Sequence, residues 1–163
     1  MQRLYIAYGS NMNLEQMRHR CPHSRVVGTA MLKDHELLFR GVATVEPKPG
    51  GQVPVLAWDI TAKDEKALDL YEGWPRLYRK EDVEIELDGK PINAMVYIMN
   101  DGHSLSPPGK GYYNTILDGY QSAGFDKQIL DDAVHESTVR LEEMPEPEPQ
   151  QMRFNGMDSM NWW

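Results

Sequence analysis

A tight polar turn at residues 9–11 is the first place where the sequence could bind a ligand. Gly9, Ser10 and Asn11 follow an apolar segment that ends at Tyr8. Glycine permits a sharp turn, and backbone N–H groups ahead of a helix can bind an anion such as a carboxylate. The alternative is an ordinary strand-to-helix turn in which Ser10 or Asn11 is a local cap. Taken alone, the turn leaves both interpretations open.

Glu72 is the candidate acid or base. It falls at the C-terminal end of a predicted helix, where the carbonyl dipoles disfavour a negative charge, and Tyr71 and Trp74 flank it. The dipole and partial desolvation both raise the pKa of a carboxyl group toward the range of a general acid or base. The alternative is an exposed glutamate, one of twenty-five acidic residues.

Metal and covalent chemistry have weaker support in the sequence. Two histidines and a cysteine follow one another at spacings of two residues: His19, Cys21 and His23. Side chains two residues apart diverge on a helix, whereas zinc needs three or four converging ligands. Cys21 has no clear orienting group or oxyanion site nearby. Ser10 lacks the second glycine of a nucleophile elbow. We therefore predict no metal site.

The elements that carry the polar turn are a strand and a helix. Residues 3–8 predict a first strand, and Asn13 is placed to cap the next helix with Gln16 as its capping-box partner. Alternating apolar runs then predict four short strands, with Pro47, Pro49, Gly50 and Gly51 between the last two. These strands are 26–32, 35–40, 42–45 and 53–60.

Glu72 belongs to a helix that the sequence delimits well. Thr61 can cap it, residues 62–71 have helical spacing, and Gly73 and Pro75 end it. Beyond it, the Asp88-Gly89 pair predicts a β-hairpin turn. The remaining elements are strands at 77–87 and 92–99, and two helices after Pro108 that Gly124 separates.

Composition bounds the class of protein. The chain has 163 residues, 40% of them hydrophobic, which suits one globular domain. A net charge of −8 opposes binding to nucleic acid or to an anionic membrane. A single cysteine excludes an internal disulfide, and there is neither a membrane-length apolar run nor a signal segment. We expect a cytoplasmic protein.

The end of the chain differs from its body. We predict a domain over 1–141 and, over 142–163, an acidic proline-rich linker followed by an apolar tail. The tail contains Trp162 and Trp163, which a free terminus would expose at a cost. We expect it to dock on its own domain or on a neighbour, which would make a homo-oligomer possible.

Two segments together carry a resemblance that neither carries alone. The run from Tyr5 to Asn11 and the run from Leu70 to Tyr78 make the chain similar to the γ-glutamylcyclotransferase-like family. Further support comes from residues 107–124, which contain Tyr112, Ile116, Gly119 and Gly124. The resemblance covers residues 3 to 135.

The resemblance implies both a fold and a reaction. The fold is α+β, a small mixed β-barrel with flanking helices. The reaction cyclises a γ-glutamyl group to 5-oxoproline and releases the free amine, with no metal and no cofactor. Glu72 takes the place of the family's catalytic acid/base. The candidate substrate-binding residues are Tyr8, Gly9, Ser10, Asn11 and Tyr112.

Some of these assignments have plain structural alternatives. We expect Tyr8 to pack beneath the turn, and Tyr112 is equally a core tyrosine on a helix face. The substrate is then a γ-glutamyl amine, amide or dipeptide, with the leaving amine selected by loops such as 48–52 and 100–111.

Two other classes of function compete with the enzyme. One is a non-catalytic module that binds a small molecule or a peptide carboxylate in the same pocket, because a fold does not fix a function. The other is an interaction subunit that docks through its C-terminal tail.

Overall fold

The computed structural model describes residues 3–143, and these residues form five strands and four helices. In chain order the elements are β1 (Arg3–Ala7), α1 (Leu14–Arg20), β2 (Arg25–Arg40), β3 (Val42–Ile60), α2 (Ala62–Glu72), β4 (Tyr78–Leu87), β5 (Lys90–Met99), α3 (Lys110–Ala123) and α4 (Lys127–Glu143). The predicted α+β class is confirmed.

The five strands form one mixed sheet in the order β2-β3-β1-β5-β4. Only the central pair of strands, β1 and β5, runs parallel within it, and the other pairs are antiparallel. The sheet is not closed, so "barrel" describes its curvature loosely. The two edge strands nevertheless approach each other, since Lys33 on β2 lies 4.0 Å from Glu86 on β4.

The region from 25 to 60 corrects the sequence prediction. Instead of four short strands it holds two long ones, β2 and β3, which pair from Arg25 to Arg40 with two irregularities in register. Pro47 and Pro49 lie inside β3 rather than between strands. β1 pairs only with residues 56–60 of β3, so Pro47 has its single partner, His35, on β2. Residues 48–51, which include Pro49, have no partner in this pairing and form one of the two irregularities in register. A strand with one free side tolerates proline, which has no N–H to donate.

The predicted boundaries of α2 and of the hairpin are confirmed. The Thr61 side chain accepts a hydrogen bond from the Asp64 N–H, and Asp64 bonds back to the Thr61 N–H, which together make a capping box. The helix ends at Gly73. The β4–β5 hairpin turns at Asp88 and Gly89, both with positive φ, as its two-residue turn requires.

α3 presses directly on the polar turn that follows β1. A Cβ added to Gly119 would lie 2.8 Å from the backbone carbon of Met12, so a side chain there would force the helix away. α4 packs against β2, where the buried Ser137 hydroxyl accepts a hydrogen bond from the Phe39 N–H at 3.0 Å. The turn is therefore fixed from the sheet side and from the helix side.

Two sequence predictions lie at the limits of the described chain. The docked tail and the acidic linker fall almost wholly within residues 144–163, outside the described residues, so the domain boundary and self-association through the tail stay predictions. Within residues 3–143, no helix combines the length and the apolar character needed to span a bilayer.

Candidate active site

A cavity of about 220 Å³ opens where β1 and α2 both end. It contains every candidate residue that the sequence analysis selected. These are Tyr8, Gly9, Ser10, Asn11, Glu72 and Tyr112. The remaining lining residues are Tyr5, Ile6, Val42, Ala43, Tyr71, Leu77, Tyr78 and Tyr97. Within this lining, Glu72 is the one charged side chain.

The polar turn is a short 3-10 segment over Ser10–Met12. It is closed by hydrogen bonds from the Met12 N–H to the Gly9 carbonyl and from the Asn13 N–H to the Ser10 carbonyl, both 3.0 Å. Asn13 caps α1 as predicted, since its side chain accepts from the Gln16 N–H. The first N–H groups of such a segment have no partner inside it and can serve a ligand.

Close packing brings the turn to the cavity wall. A Cβ on Gly9 would lie 3.3 Å from the Ala43 Cβ and 3.4 Å from the Tyr112 hydroxyl oxygen. The buried Trp58 indole N–H donates to the Asn11 carbonyl at 3.1 Å and holds the turn against β3. Only a residue without a side chain leaves this part of the cavity open.

Glu72 is the last residue of α2 and is partly buried. Burial raises the pKa of its carboxyl group to about 7, although the positive charge of Arg20 acts in the opposite direction. The Asn11 side-chain amide donates to its Oε1 at 3.3 Å. A carboxyl group with this pKa is present in both protonation states near neutral pH and can take up and return a proton.

Tyrosine hydroxyls line the cavity around this carboxyl group, and three of them bond to the backbone. The Tyr8 hydroxyl donates to the Tyr97 carbonyl at 2.7 Å, which agrees with the expectation that Tyr8 packs beneath the turn. The Tyr78 hydroxyl donates to the Ala43 carbonyl at 2.5 Å, and the Tyr112 hydroxyl accepts from the Ala43 N–H at 3.0 Å.

Burial, the largest cause in each case, raises the pKa of four of these hydroxyls. They belong to Tyr5, Tyr8, Tyr78 and Tyr112. They are therefore neutral near pH 7, whereas the pKa of the Glu72 carboxyl group lies near that pH.

Comparison with known proteins assigns the chain to a family. Residues 5–115 match the family described as gamma-glutamyl cyclotransferase, AIG2-like. The matched range includes both the polar turn and Glu72. The chain belongs to this family. The resemblance stated from the two sequence segments is confirmed.

Named relatives of this gamma-glutamyl cyclotransferase family member agree. It is 30% identical over 135 residues to human gamma-glutamylcyclotransferase, covering 74% of this chain and 71% of the human protein. It is 28% identical over 139 residues to the mouse protein of the same name, covering 77% and 73%. The family and these relatives indicate an enzyme of the gamma-glutamylcyclotransferase type.

A solved structure described as gamma-glutamyl cyclotransferase superposes with a TM-score of 0.72 at 25% identity. The match covers 90% of this chain and 89% of that structure. The chain therefore shares the α+β fold of this structure over most of its length.

Sequence reasoning missed several residues that build the site of this cyclotransferase family member. Tyr71 and Tyr78 lie within the motif around Glu72, but only the structure places their rings on the cavity wall. Arg20 is the more important omission. A basic residue in the last turn of a helix complements the helix dipole, so its type and position gave no signal of contact with the site.

The structure also changes how Glu72 is shielded. Trp74, expected to desolvate it, does not line the cavity, and its ring instead lies 4.2 Å from the Lys80 ammonium nitrogen. The loops expected to select the leaving amine are likewise absent from the described lining. Residues 48–52 lie inside β3, and the apolar residues Val42 and Leu77 line the cavity in their place.

Cys21 does not join the site. Its buried thiol donates to the Asp64 carbonyl at 3.6 Å, and burial raises its pKa to about 12. A thiol of such high pKa is a poor nucleophile because the thiolate is scarce at neutral pH. Among residues 3–143, no three histidine, cysteine or acidic side chains are grouped as a metal site requires.

Proposed function

We propose that this chain cyclises a γ-glutamyl amine, amide or dipeptide to 5-oxoproline and releases the free amine, with Glu72 as the general acid and base. The observation that carries the proposal is the Glu72 carboxyl group, with a pKa of about 7, on the wall of the same cavity as the Gly9–Asn11 turn. Family membership supports the reaction class. The identity of the base and the choice of substrate are our inference.

The proposed reaction moves two protons from the attacking nitrogen to the leaving nitrogen. The substrate α-ammonium must lose the first before its nitrogen can attack the γ-carbonyl carbon. Ionised Glu72 takes that proton, the new C–N bond closes the five-membered ring, and the carbonyl oxygen becomes an oxyanion. The oxyanion re-forms the carbonyl as the bond to the leaving amine breaks, and protonated Glu72 gives its proton to that amine. The carboxylate then takes the second proton from the ring nitrogen and passes it to the released amine, which leaves as an ammonium ion. The carboxyl group ends in its starting state, so a single residue serves both transfers.

The turn supplies the groups that hold the substrate in this proposal. The N–H groups and side chains of Gly9, Ser10 and Asn11 are suited to the α-carboxylate or to the developing oxyanion. Ring closure gains mainly from keeping the amine nitrogen and the γ-carbonyl carbon close together. A cavity of about 220 Å³ suits a γ-glutamyl group. Tyr112 is the further substrate-binding residue we propose, through its hydroxyl group.

The proposal extends to where the chain acts and on what. We propose a small γ-glutamyl compound in the cytoplasm as its substrate, with no cofactor. The cavity lining offers a carboxyl group and tyrosine hydroxyls. The net charge of the whole chain, −8, also opposes a nucleic acid partner.

A mass-spectrometric screen for released 5-oxoproline tests the proposal. The panel contains γ-glutamyl amino acids, γ-glutamyl amines and glutathione, and the parent protein is compared with Glu72→Gln. We expect release by the parent from at least one member and almost none by Glu72→Gln, with circular dichroism showing that both are folded. A panel that binds saturably without release would instead identify a non-catalytic binding module. Release by Glu72→Gln at the parental rate would overturn the role of Glu72.

A further inference from the structure

We propose that Arg20 is a positioning residue, which orients the Asn11 amide toward Glu72 and fixes the Tyr71 ring on the cavity wall. This inference rests on the proposed function, because it concerns the residues given roles there. Arg20 does not line the cavity, so it acts through the residues that it contacts.

The first contact determines which way the Asn11 side chain faces. The half-buried Arg20 guanidinium donates to the Asn11 Oδ1 atom. The amide nitrogen of the same side chain must then point the other way, where it donates to the Tyr5 hydroxyl at 3.0 Å and to Glu72 Oε1 at 3.3 Å. Without the guanidinium, a flipped amide would present its oxygen to the carboxylate, and two acceptors would repel each other.

The second contact is with Tyr71, another residue of the cavity lining. The guanidinium carbon of Arg20 lies 3.4 Å from the centre of the Tyr71 ring, in a stacked cation–π arrangement. The Tyr71 hydroxyl is 2.8 Å from Ser10 Oγ. Arg20 therefore supports both polar side chains of the turn, Asn11 directly and Ser10 through the Tyr71 hydroxyl.

A third contact keeps the guanidinium in place. Its other terminal nitrogen donates to the Gln16 side-chain oxygen at 2.9 Å, one turn earlier on α1. A planar guanidinium can stack on a ring and donate to two acceptors at its edge at the same time. A lysine ammonium has no plane to stack and no fork of donors, so it can supply the charge without the geometry.

Arg20 also supplies the positive charge that faces Glu72. The other groups that face the carboxyl group are tyrosine hydroxyls from three other elements and from α2 itself. They are Tyr5 and Tyr8 of β1 and its end, Tyr78 of β4, Tyr112 of α3 and Tyr71 of α2. Removing the charge of Arg20 therefore changes the electrostatic environment of Glu72 without a compensating cation in the cavity lining.

Three variants separate geometry from charge. Arg20→Gln removes both, Arg20→Lys keeps a positive charge, and Arg18→Gln removes an exposed positive charge from the same helix as the matched control. We expect kcat for 5-oxoproline release to fall about tenfold or more in Arg20→Gln and in Arg20→Lys, with a smaller change in KM, because misplaced reacting groups slow the chemical step. Arg18→Gln should keep the parental kcat and KM.

An NMR titration tests the link to Glu72 without any substrate. In protein labelled at the glutamate carboxyl carbon, the Glu72 signal is the one missing from Glu72→Gln. We expect its pKa to rise above the parental value in Arg20→Gln and to stay closer to it in Arg20→Lys. Arg18→Gln should leave it unchanged.

The two measurements distinguish this inference from the proposed function. A parent that releases no 5-oxoproline contradicts the proposed function, while the titration still decides whether Arg20 governs Glu72. An active parent with unchanged kcat and an unchanged Glu72 titration in Arg20→Gln overturns the positioning role. If Arg20→Gln does not fold, Arg20→Lys decides alone, since parental kcat in that variant would show that only charge is needed.

Discussion

Two carboxyl groups one turn apart on α2 face very different surroundings. Asp69 accepts from the Lys80 ammonium, 2.8 Å away, and from the Tyr97 hydroxyl at 2.6 Å. Glu72 accepts from the neutral Asn11 amide at 3.3 Å, and the nearest cation to act on it, Arg20, lies behind that amide. The same helix therefore carries one carboxylate held in an ion pair and one that can exchange a proton.

The comparison shows that helix position alone does not make a carboxyl group a candidate base. Lys80 also donates to Glu65 at 2.6 Å, so direct ion pairs connect the middle of α2 to β4. At the end of α2, burial without such a partner raises the pKa of Glu72. Asp69 and Glu65 have a cation in contact, whereas the cation that acts on Glu72 lies beyond the Asn11 amide.

The largest expected effect comes from removing each carboxyl group in turn. Glu72→Gln should lower kcat by about a thousandfold, within the range for loss of a general acid/base. Asp69→Asn, the matched change one turn earlier, should lower kcat by less than about fivefold, because it alters an ion pair outside the cavity. Steady-state release of 5-oxoproline measures both. Equal losses in the two variants would contradict the distinction between them.

The next effect comes from narrowing the cavity. Gly9→Ala adds a methyl group 3.3 Å from the Ala43 Cβ and 3.4 Å from the Tyr112 hydroxyl. We expect kcat/KM to fall about tenfold, since the added methyl group takes up space beside the turn and displaces the substrate from the geometry that ring closure needs. Gly111→Ala is the control, because a Cβ there meets nothing within 4 Å. Parental kcat/KM in Gly9→Ala would show that the turn does not touch the substrate.

Breaking the ion-paired region should affect stability rather than catalysis. Lys80→Met removes the ammonium group that pairs with both Asp69 and Glu65. Each of these partly buried carboxylates then loses one cationic partner. We expect the free energy of unfolding to fall by about 1 to 2 kcal/mol. kcat should stay within about twofold of the parent. Urea denaturation measures the free energy of unfolding, and the 5-oxoproline assay measures kcat. A large loss of kcat without a loss of stability would contradict the claim that this ion-paired region serves stability rather than catalysis.

The last expected effect is a gain in stability, without any gain in activity, when the proposed base is removed. Folding raises the pKa of Glu72 from 4.5 to about 7. Below pH 4.5 the carboxyl group is protonated in both the folded and the unfolded state, so it does not lower the free energy of unfolding. Ionisation of the buried carboxyl group lowers the free energy of unfolding between pH 4.5 and pH 7, and this loss is complete above pH 7. Glu72→Gln should therefore raise the free energy of unfolding by about 2 kcal/mol at pH 8, allowing for partial access of solvent, and by much less at pH 4. Equal effects at both pH values would contradict the raised pKa.

Local sequence signals predicted the parts of the site that depend on chain continuity. Asn13 caps α1 and Thr61 caps α2 because each bonds to a residue three positions on. Glu72 at the end of α2 follows from the same helix boundary, and the turn at residues 9–11 follows from the end of β1. These features need few contacts from elsewhere in the chain.

The remainder of the site depends on contacts between distant segments. Tyr8 and Tyr97 meet because β1 and β5 are parallel neighbours, and Trp58 reaches Asn11 across the β1–β3 pairing. Nothing in the local spacing of Arg20 indicates that it stacks on Tyr71, fifty-one residues later. For the same reason the prolines of β3 were misleading, because only the sheet order shows that one side of that stretch is free.

The pH dependence of kcat/KM for 5-oxoproline release tests the central claim most directly. The free enzyme needs ionised Glu72 to accept a proton, so the acidic limb of the profile reports the pKa of this group. With a substrate from the panel, we predict that kcat/KM rises with pH through an apparent pKa of about 7 and that Glu72→Gln lacks this limb. A limb that persists unchanged in Glu72→Gln, or a flat profile across neutral pH in the parent, would contradict the account of Glu72 as the proton-transferring group.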